Sequence, residues 1–126
     1  MATALVIGGG IGGLTAAIAL RRAGWQVELF EARDTIREVG AGLTLQANAM
    51  TALAGIGLAE TIAAEGHQFE IGFLGDSGAR VLTEYAFAEL TDQLPHPSIC
   101  IGRPHLVQLL RQALGAEHIH LSLIHI

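Results

Sequence analysis

The sequence predicts an α/β fold in which a βαβ unit sits on a parallel sheet. Three observations predict it. Thr3 to Ile7 is a short, β-branched apolar run that stops at a glycine cluster. Gly12 to Ala23 is rich in alanine and leucine, and Gln26 to Phe30 returns to strand character. Strand, tight loop, helix, tight loop and strand within about 30 residues make a βαβ unit. The composition agrees, with 51% of residues hydrophobic and 15% charged. That balance suits elements covered on both faces, as parallel strands are, and does not suit disorder.

Taken in order, Thr3–Ile7 reads as a buried parallel strand. The next segment carries Leu14, Ala16, Ala17, Ile18, Ala19 and Leu20. Alanine and leucine are strong helix formers. Arg21 and Arg22 complement the dipole in the last turn, and Gly24 stands where a left-handed residue closes a helix. In the second strand Val27 and Leu29 alternate with Gln26 and Glu28. Gly40 and Gly42 bracket Ala41 in a loop. Ala47 to Leu53 reads as a short helix, with a second helical piece from Leu58 to Glu65. Phe69 to Leu74 and Arg80 to Thr83 read as strands joined by a turn over Gly75 to Gly78. Leu94 to Pro97 is a proline-punctuated loop and Ser98 to Ile101 a short strand. Arg103 to Leu114 is an amphipathic helix with Leu106, Leu109, Leu110 and Leu114 on one side. His118 to Leu123 alternates as a final strand. No repeat and no linker divides the chain.

Several function classes are disfavoured. A net charge of -5 argues against a nucleic-acid surface, which is basic. The stretch from Met1 to Leu20 is uncharged, yet it lacks the basic start of a signal peptide. Its glycines also interrupt the roughly 20 apolar residues a membrane span needs. One cysteine, Cys100, forbids an internal disulfide and favours a reducing, cytoplasmic setting; its apolar strand context predicts a small buried side chain. The histidines show no His-x-x-x-His spacing, so no metal is expected. Ser77 and Ser98 lack the surroundings of a nucleophile elbow. Trp25 reads as packing.

The chemistry lies in Gly8-x-Gly10-x-x-Gly13. The glycine pattern alone is a weak signal. Here it follows a predicted strand, opens a predicted helix, and precedes an acid, Glu31, by about 20 residues, as the dinucleotide fingerprint requires. Gly8 permits the sharp turn, Gly10 lets backbone approach a pyrophosphate, and Gly13 lets the helix pack closely on the sheet. The free N–H groups of the helix start and its dipole favour a phosphate. Glu31 is placed to accept hydrogen bonds from ribose hydroxyls and would repel a 2′-phosphate. The plain alternatives are a strand-terminating glycine loop and an ordinary strand-end acid.

The glycine loop, Glu31-Ala32-Arg33, Gly40-Ala41-Gly42, Asn48-Ala49 and the segment Leu53 to Leu58 together resemble the start of an FAD-dependent aromatic-ring monooxygenase. That family includes para-hydroxybenzoate and salicylate hydroxylases and zeaxanthin epoxidase. Ile101-Gly102-Arg103-Pro104-His105-Leu106 resembles the family segment in which an arginine opens a helix beside the cofactor. The resemblance covers the chain to about Leu121. It implies a Rossmann-like FAD-binding domain, incomplete here, from the N-terminal part of a larger two-domain flavoprotein. It also implies that Gly8, Gly10, Ile11, Gly12 and Gly13 face the pyrophosphate and Glu31 the adenosine ribose. Ala32 and Arg33 would follow near the adenine, Gly42 would pass near the flavin, and Arg103 would lie beside the FAD phosphates or ribitol. Arg103 as an exposed helix-start residue and Gly40 and Gly42 as turn glycines stay open, and Asn48 is read as a helix-start residue. Arg37 reads as a solvated loop charge. FAD is the implied bound cofactor, NADH or NADPH the co-substrate, and a small aromatic molecule the substrate that receives one oxygen atom from O2.

The family's Asp-Gly and later Gly-Asp cofactor motifs find no counterpart; Asp76 precedes Ser77. The chain therefore reads as the first third of a longer enzyme, inactive by itself, with its catalytic residues elsewhere. Residues 1–121 read as FAD-binding domain. The last six, Leu121 to Ile126, resemble a translated transposon-end adapter, making 122–126 a non-native tail; a genuine alternating strand is the alternative. Other readings are an amine oxidase or disulfide reductase relative, and a non-enzymatic nucleotide-sensing module or inactive fragment. A lone Cys100 speaks against the reductase.

Overall fold

The computed structural model describes residues 2–36, 41–86 and 94–122. The chain forms two compact units, one of residues Met1–Ala41 and Gly102–Ile126 and the other of Gly42–Ile101. One border falls just before the strand that starts at Gly42 and the other before the last residue of the strand Ile99–Gly102.

The first unit contains strand β1 (Thr3–Ile7), helix α1 (Ile11–Arg22) and strand β2 (Gln26–Phe30). β1 and β2 pair in parallel, from Thr3 opposite Gln26 to Ile7 opposite Phe30. Val27 and Leu29 are buried, as their alternation predicts. Leu14, Ala17 and Ile18 form the inner stripe of α1. Gly24, at φ +85°, closes that helix, its N–H bonded to the Arg21 carbonyl. The remainder comes from the far end of the chain. A long helix, Arg103–Leu114, is followed by a 3-10 turn, Ala116–His118, and a two-residue strand, Ile119–His120. That strand pairs in parallel with β2.

In the second unit, β3 (Gly42–Leu45) leads into α2 (Ala47–Gly55), α3 (Ala59–Glu65) and the two-residue β4 (His67–Gln68). A hairpin of β5 (Ile71–Gly75) and β6 (Val81–Ala86) follows, and β7 (Ile99–Gly102) returns to the unit border. The long helix Arg103–Leu114 is then α4, and Ile119–His120 is β8. The strand orders are β1-β2-β8, β3-β7-β4 and β5-β6. β4 runs antiparallel to β7, His67 facing Cys100. Met50, Ile62 and Ile99 are the most deeply buried large side chains of this unit.

The elements lie close to the expected residues, with departures; β1, expected to be buried, instead leaves Leu5 65% and Ile7 80% exposed. Gly42 begins a strand rather than staying in a loop, because β7 offers it a ladder of partners. Gly40 and Arg37 lie outside the described residues. Cys100 is exposed, not buried: β7 alternates, turning Ile99 and Ile101 inward and Cys100 outward. Trp25 is 42% exposed. On α4, Val107 joins Leu106, Leu110 and Leu114 in the core, while Leu109 is half-buried. The expected final strand begins with a 3-10 turn, and residues 123–126 lie outside the described residues.

α1 packs against α4. Arg21 donates from its guanidinium to the Leu114 carbonyl at 2.6 Å, satisfying one of the orphan acceptors at the end of α4. Leu14, Leu110 and Leu114 are fully buried in this unit, each worth about 2 kcal/mol of apolar burial.

Candidate functional site

The glycine loop lies between the end of β1 and the start of α1. Gly8 has φ +104°, a conformation that glycine alone adopts without strain. Its N–H extends the ladder to the Phe30 carbonyl at 2.7 Å. Gly10 is the N-cap of α1 and offers no side-chain cap. The first helical bond runs from Leu14 N–H to the Gly10 carbonyl. The N–H groups of Ile11, Gly12 and Gly13 precede it and have no intrahelical acceptor. No acidic side chain occupies the first turn, so the helix supplies no anion of its own to its positive dipole end.

The loop glycines divide into two kinds. A Cβ on Gly13 would fall 1.9 Å from the Gly8 carbonyl oxygen, so Gly13 is required for the helix to approach the strand. A Cβ on Gly10 or Gly12 would meet nothing within 4 Å. The space over these two is open, and backbone donors face a region that a side chain would fill. That arrangement fits a pyrophosphate.

Glu31, just beyond β2, is the second part. Its carboxylate accepts from Gly9 N–H at 2.8 Å and from Arg33 N–H at 3.1 Å. The Gly9 bond, helped by that of Arg33, holds its pKa below the usual carboxylate value, so it is ionised near neutral pH. An ionised carboxylate has about four acceptor sites, and these two bonds leave the group able to take hydroxyl donors. Ala32 and Arg33 are exposed. Arg33 is tied down through its carbonyl, which accepts from Ser122 N–H at 2.8 Å, while Glu31 N–H donates to the His120 carbonyl at 2.9 Å.

Gly9 was not among the residues expected to matter. It is buried, and a Cβ there would crowd Ile36 at 3.0 Å and Glu31 Oε2 at 3.2 Å. The signal was the third glycine in Gly8-Gly9-Gly10, one more than the fingerprint needs. Arg103 is exposed at the first position of α4, its N–H donating to the Ala41 carbonyl at 3.3 Å. Gly42 belongs to the second unit, where it starts β3. Asn48 lies in the first turn of α2, its side-chain oxygen accepting from Ala49 N–H. Among the described residues no cluster of three His, Cys, Asp or Glu side chains could hold a metal ion. No helix among them is long and apolar enough to cross a membrane.

A parallel βαβ unit, a glycine turn with open donors and a fixed strand-end carboxylate define a dinucleotide-binding domain. The particular family is the FAD binding domain, whose sequence profile matches residues 1–121, and the chain belongs to it. It is 34% identical over 120 residues to an aurachin C monooxygenase/isomerase of Stigmatella aurantiaca, spanning 95% of this chain and 31% of that protein. It is 35% identical to an FAD-dependent urate hydroxylase of Klebsiella oxytoca, over 82% of this chain and 28% of that one. In structure it is similar to a 2-methyl-3-hydroxypyridine-5-carboxylic acid oxygenase, with TM-score 0.82, 30% identity, and coverage of 97% of this chain and 32% of the other. Its fold also matches Klebsiella pneumoniae HpxO complexed with FAD and uric acid, with TM-score 0.86, 24% identity, and 96% and 31% coverage. The chain thus spans about a third of the length of these relatives.

Proposed function

We propose that this chain is the N-terminal FAD-binding part of a flavin-dependent monooxygenase that uses NADH or NADPH and O2 to hydroxylate a small aromatic molecule. The observation that carries the reading is the open donor cradle over Gly10 and Gly12, beside a carboxylate fixed by Gly9. Family membership and the oxygenase and hydroxylase names of the relatives support the reaction class. A lone cysteine supports a reducing, cytoplasmic setting.

In this reading Gly8 turns the chain off β1, and Gly10, Ile11, Gly12 and Gly13 present backbone donors to the pyrophosphate. The positive dipole end of α1 adds attraction for its charge. Glu31 accepts from the adenosine ribose, and the Gly9 and Arg33 bonds keep its carboxylate ionised and in one rotamer. Its charge selects against a 2′-phosphorylated nucleotide. Ala32 and Arg33 border the adenine end. Arg103 supplies a positive charge toward the phosphates or ribitol, and Gly42 allows backbone to pass close to the ring system. FAD, when bound, supplies the electron transfer from nicotinamide and the activation of oxygen.

The test is expression of the intact gene from the same source. Stoichiometric FAD, and NAD(P)H oxidation coupled to oxygenation of a phenolic acid or related aromatic, is the expected result. Flavin-bound protein that turns over amines without incorporating oxygen would overturn it in favour of an oxidase.

A further inference from the structure

We propose that Ile36 is a positioning residue for the cofactor: its side chain closes over Gly9 and holds the Glu31 carboxylate where it receives the adenosine ribose. This rests on the reading that assigns Glu31 to the ribose of FAD.

The loop after β2 runs over the surface. Residues 32–35 are exposed, and Ile36 turns inward, to 6% exposure. What it covers is shown by the place where a Cβ on Gly9 would stand. That point lies 3.0 Å from Ile36 Cδ1, 3.1 Å from Ile36 Cγ1 and 3.2 Å from Glu31 Oε2. The isoleucine and the carboxylate oxygen therefore press on the same face of Gly9, and no further atom fits at that point. Gly9 is itself buried, and its N–H donates to the same Oε2 at 2.8 Å.

The two anchors of the Glu31 carboxylate differ. Oε1 accepts from Arg33 N–H at 3.1 Å, on the exposed side of the loop, where water competes for it. Oε2 accepts from Gly9 beside Ile36, and a hydrogen bond shielded from water is electrostatically stronger. The Gly9 bond is the largest influence holding the carboxyl below its ordinary pKa, ahead of the Arg33 bond and the Arg33 charge. The backbone of Glu31 is held separately, by its N–H on the His120 carbonyl at 2.9 Å. Removing the Ile36 side chain therefore leaves the loop in place, opens the Gly9 bond to water and frees the carboxylate to swing away.

A double-mutant cycle on the intact protein tests this, read as the FAD affinity of the flavin-stripped enzyme. Ile36→Ala should weaken FAD binding by about 10-fold, the scale of one hydrogen bond to a charged group. In a Glu31→Gln background the same substitution should cost less than about 2-fold, because Ile36 acts through the carboxylate. Ile36→Val keeps a carbon in the Cγ1 position over Gly9 and should stay within about 3-fold of the unsubstituted protein. An equal loss in both backgrounds, or an unfolded Ile36→Ala protein by far-UV circular dichroism, would make Ile36 ordinary core and overturn the proposal. The Glu31 carboxyl resonance, assigned by its loss in Glu31→Gln, is titrated by carbon-13 NMR in the flavin-free protein. Its titration should move up toward the ordinary carboxylate value in Ile36→Ala and stay in place in Ile36→Val. An unmoved titration in Ile36→Ala overturns the proposal. A protein that takes up no FAD yet shows the upward move would defeat the flavin reading and leave the positioning of Glu31 by Ile36 standing.

Discussion

Replacing Gly13 with alanine sets a methyl group against backbone that has nowhere to go. Its Cβ would lie 1.9 Å from the Gly8 oxygen and 3.1 Å from the Gly8 carbon, where ordinary contact begins at 3.4 Å. Gly8 is itself anchored by its bond to Phe30, so α1 must lift by about 1.5 Å, the gap between those two distances. Overpacking against a fixed neighbour costs about 3 kcal/mol. Alanine's better helix propensity returns about 1 kcal/mol, leaving a net loss of about 2 kcal/mol. With a urea slope near about 1.5 kcal/mol/M, the unfolding midpoint followed by far-UV circular dichroism should fall by more than about 1 M. Gly12→Ala is the control, because its Cβ meets nothing. It should raise the midpoint by about 0.5 M through helix propensity alone, while weakening FAD binding in the intact protein. A Gly13→Ala midpoint equal to or above that of the unsubstituted chain would refute the close-packing argument. A lowered midpoint in Gly12→Ala would refute the open cradle.

Gly10→Val should abolish flavin retention by the intact protein, read as bound absorbance after gel filtration, with a midpoint shift smaller than that of Gly13→Ala. Glu31 has a folded pKa below its ordinary 4.5, so its bonds stabilise the fold above that value and are lost as pH falls through the lower folded pKa. Glu31→Gln should therefore flatten the acid side of the stability–pH curve below about pH 4.5, measured by urea midpoints. Arg21→Ala removes the bond to Leu114 and should cost about 1 kcal/mol, seen as a lower midpoint with flavin binding of the intact protein retained. The 126 residues alone should neither retain FAD stoichiometrically nor oxidise NAD(P)H in response to a phenolic acid. A yellow, monomeric, active product would contradict this.

The parts of the fold legible in the sequence are those governed by local periodicity and punctuation. β1, β2 and α4 occupy the expected residues because apolar runs there are bounded by glycines, and α1 differs by a residue at its ends. Pairing between distant segments left no such trace. β4 is two residues long and exists only because β7 lies beside His67 and Gln68. The same cause turned Gly42 into a strand residue. Ile99-Cys100-Ile101 is apolar throughout, so the sequence hid the alternation that exposes Cys100. The turn at Gly8, the helix start at Gly10, the close approach at Gly13 and the strand-end place of Glu31 are legible because each has a fixed offset from strand or helix. The bond that fixes Glu31 was not, since it comes from the backbone of Gly9, and backbone donors carry no residue signature.

The Ala41 carbonyl and the Arg103 N–H are hydrogen-bonded across the two points where the chain leaves the nucleotide unit and returns to it. Everything from residue 42 to residue 101 therefore hangs from a closed gate. A segment whose ends already meet adds little loop-closure entropy however long it grows, so length and content there are free to drift without straining β1, β2 or α4. The gate makes residues 41 and 103 a natural graft point. A short turn in place of the insert would leave β1, β2 and β8 with the parallel pairing they make among themselves.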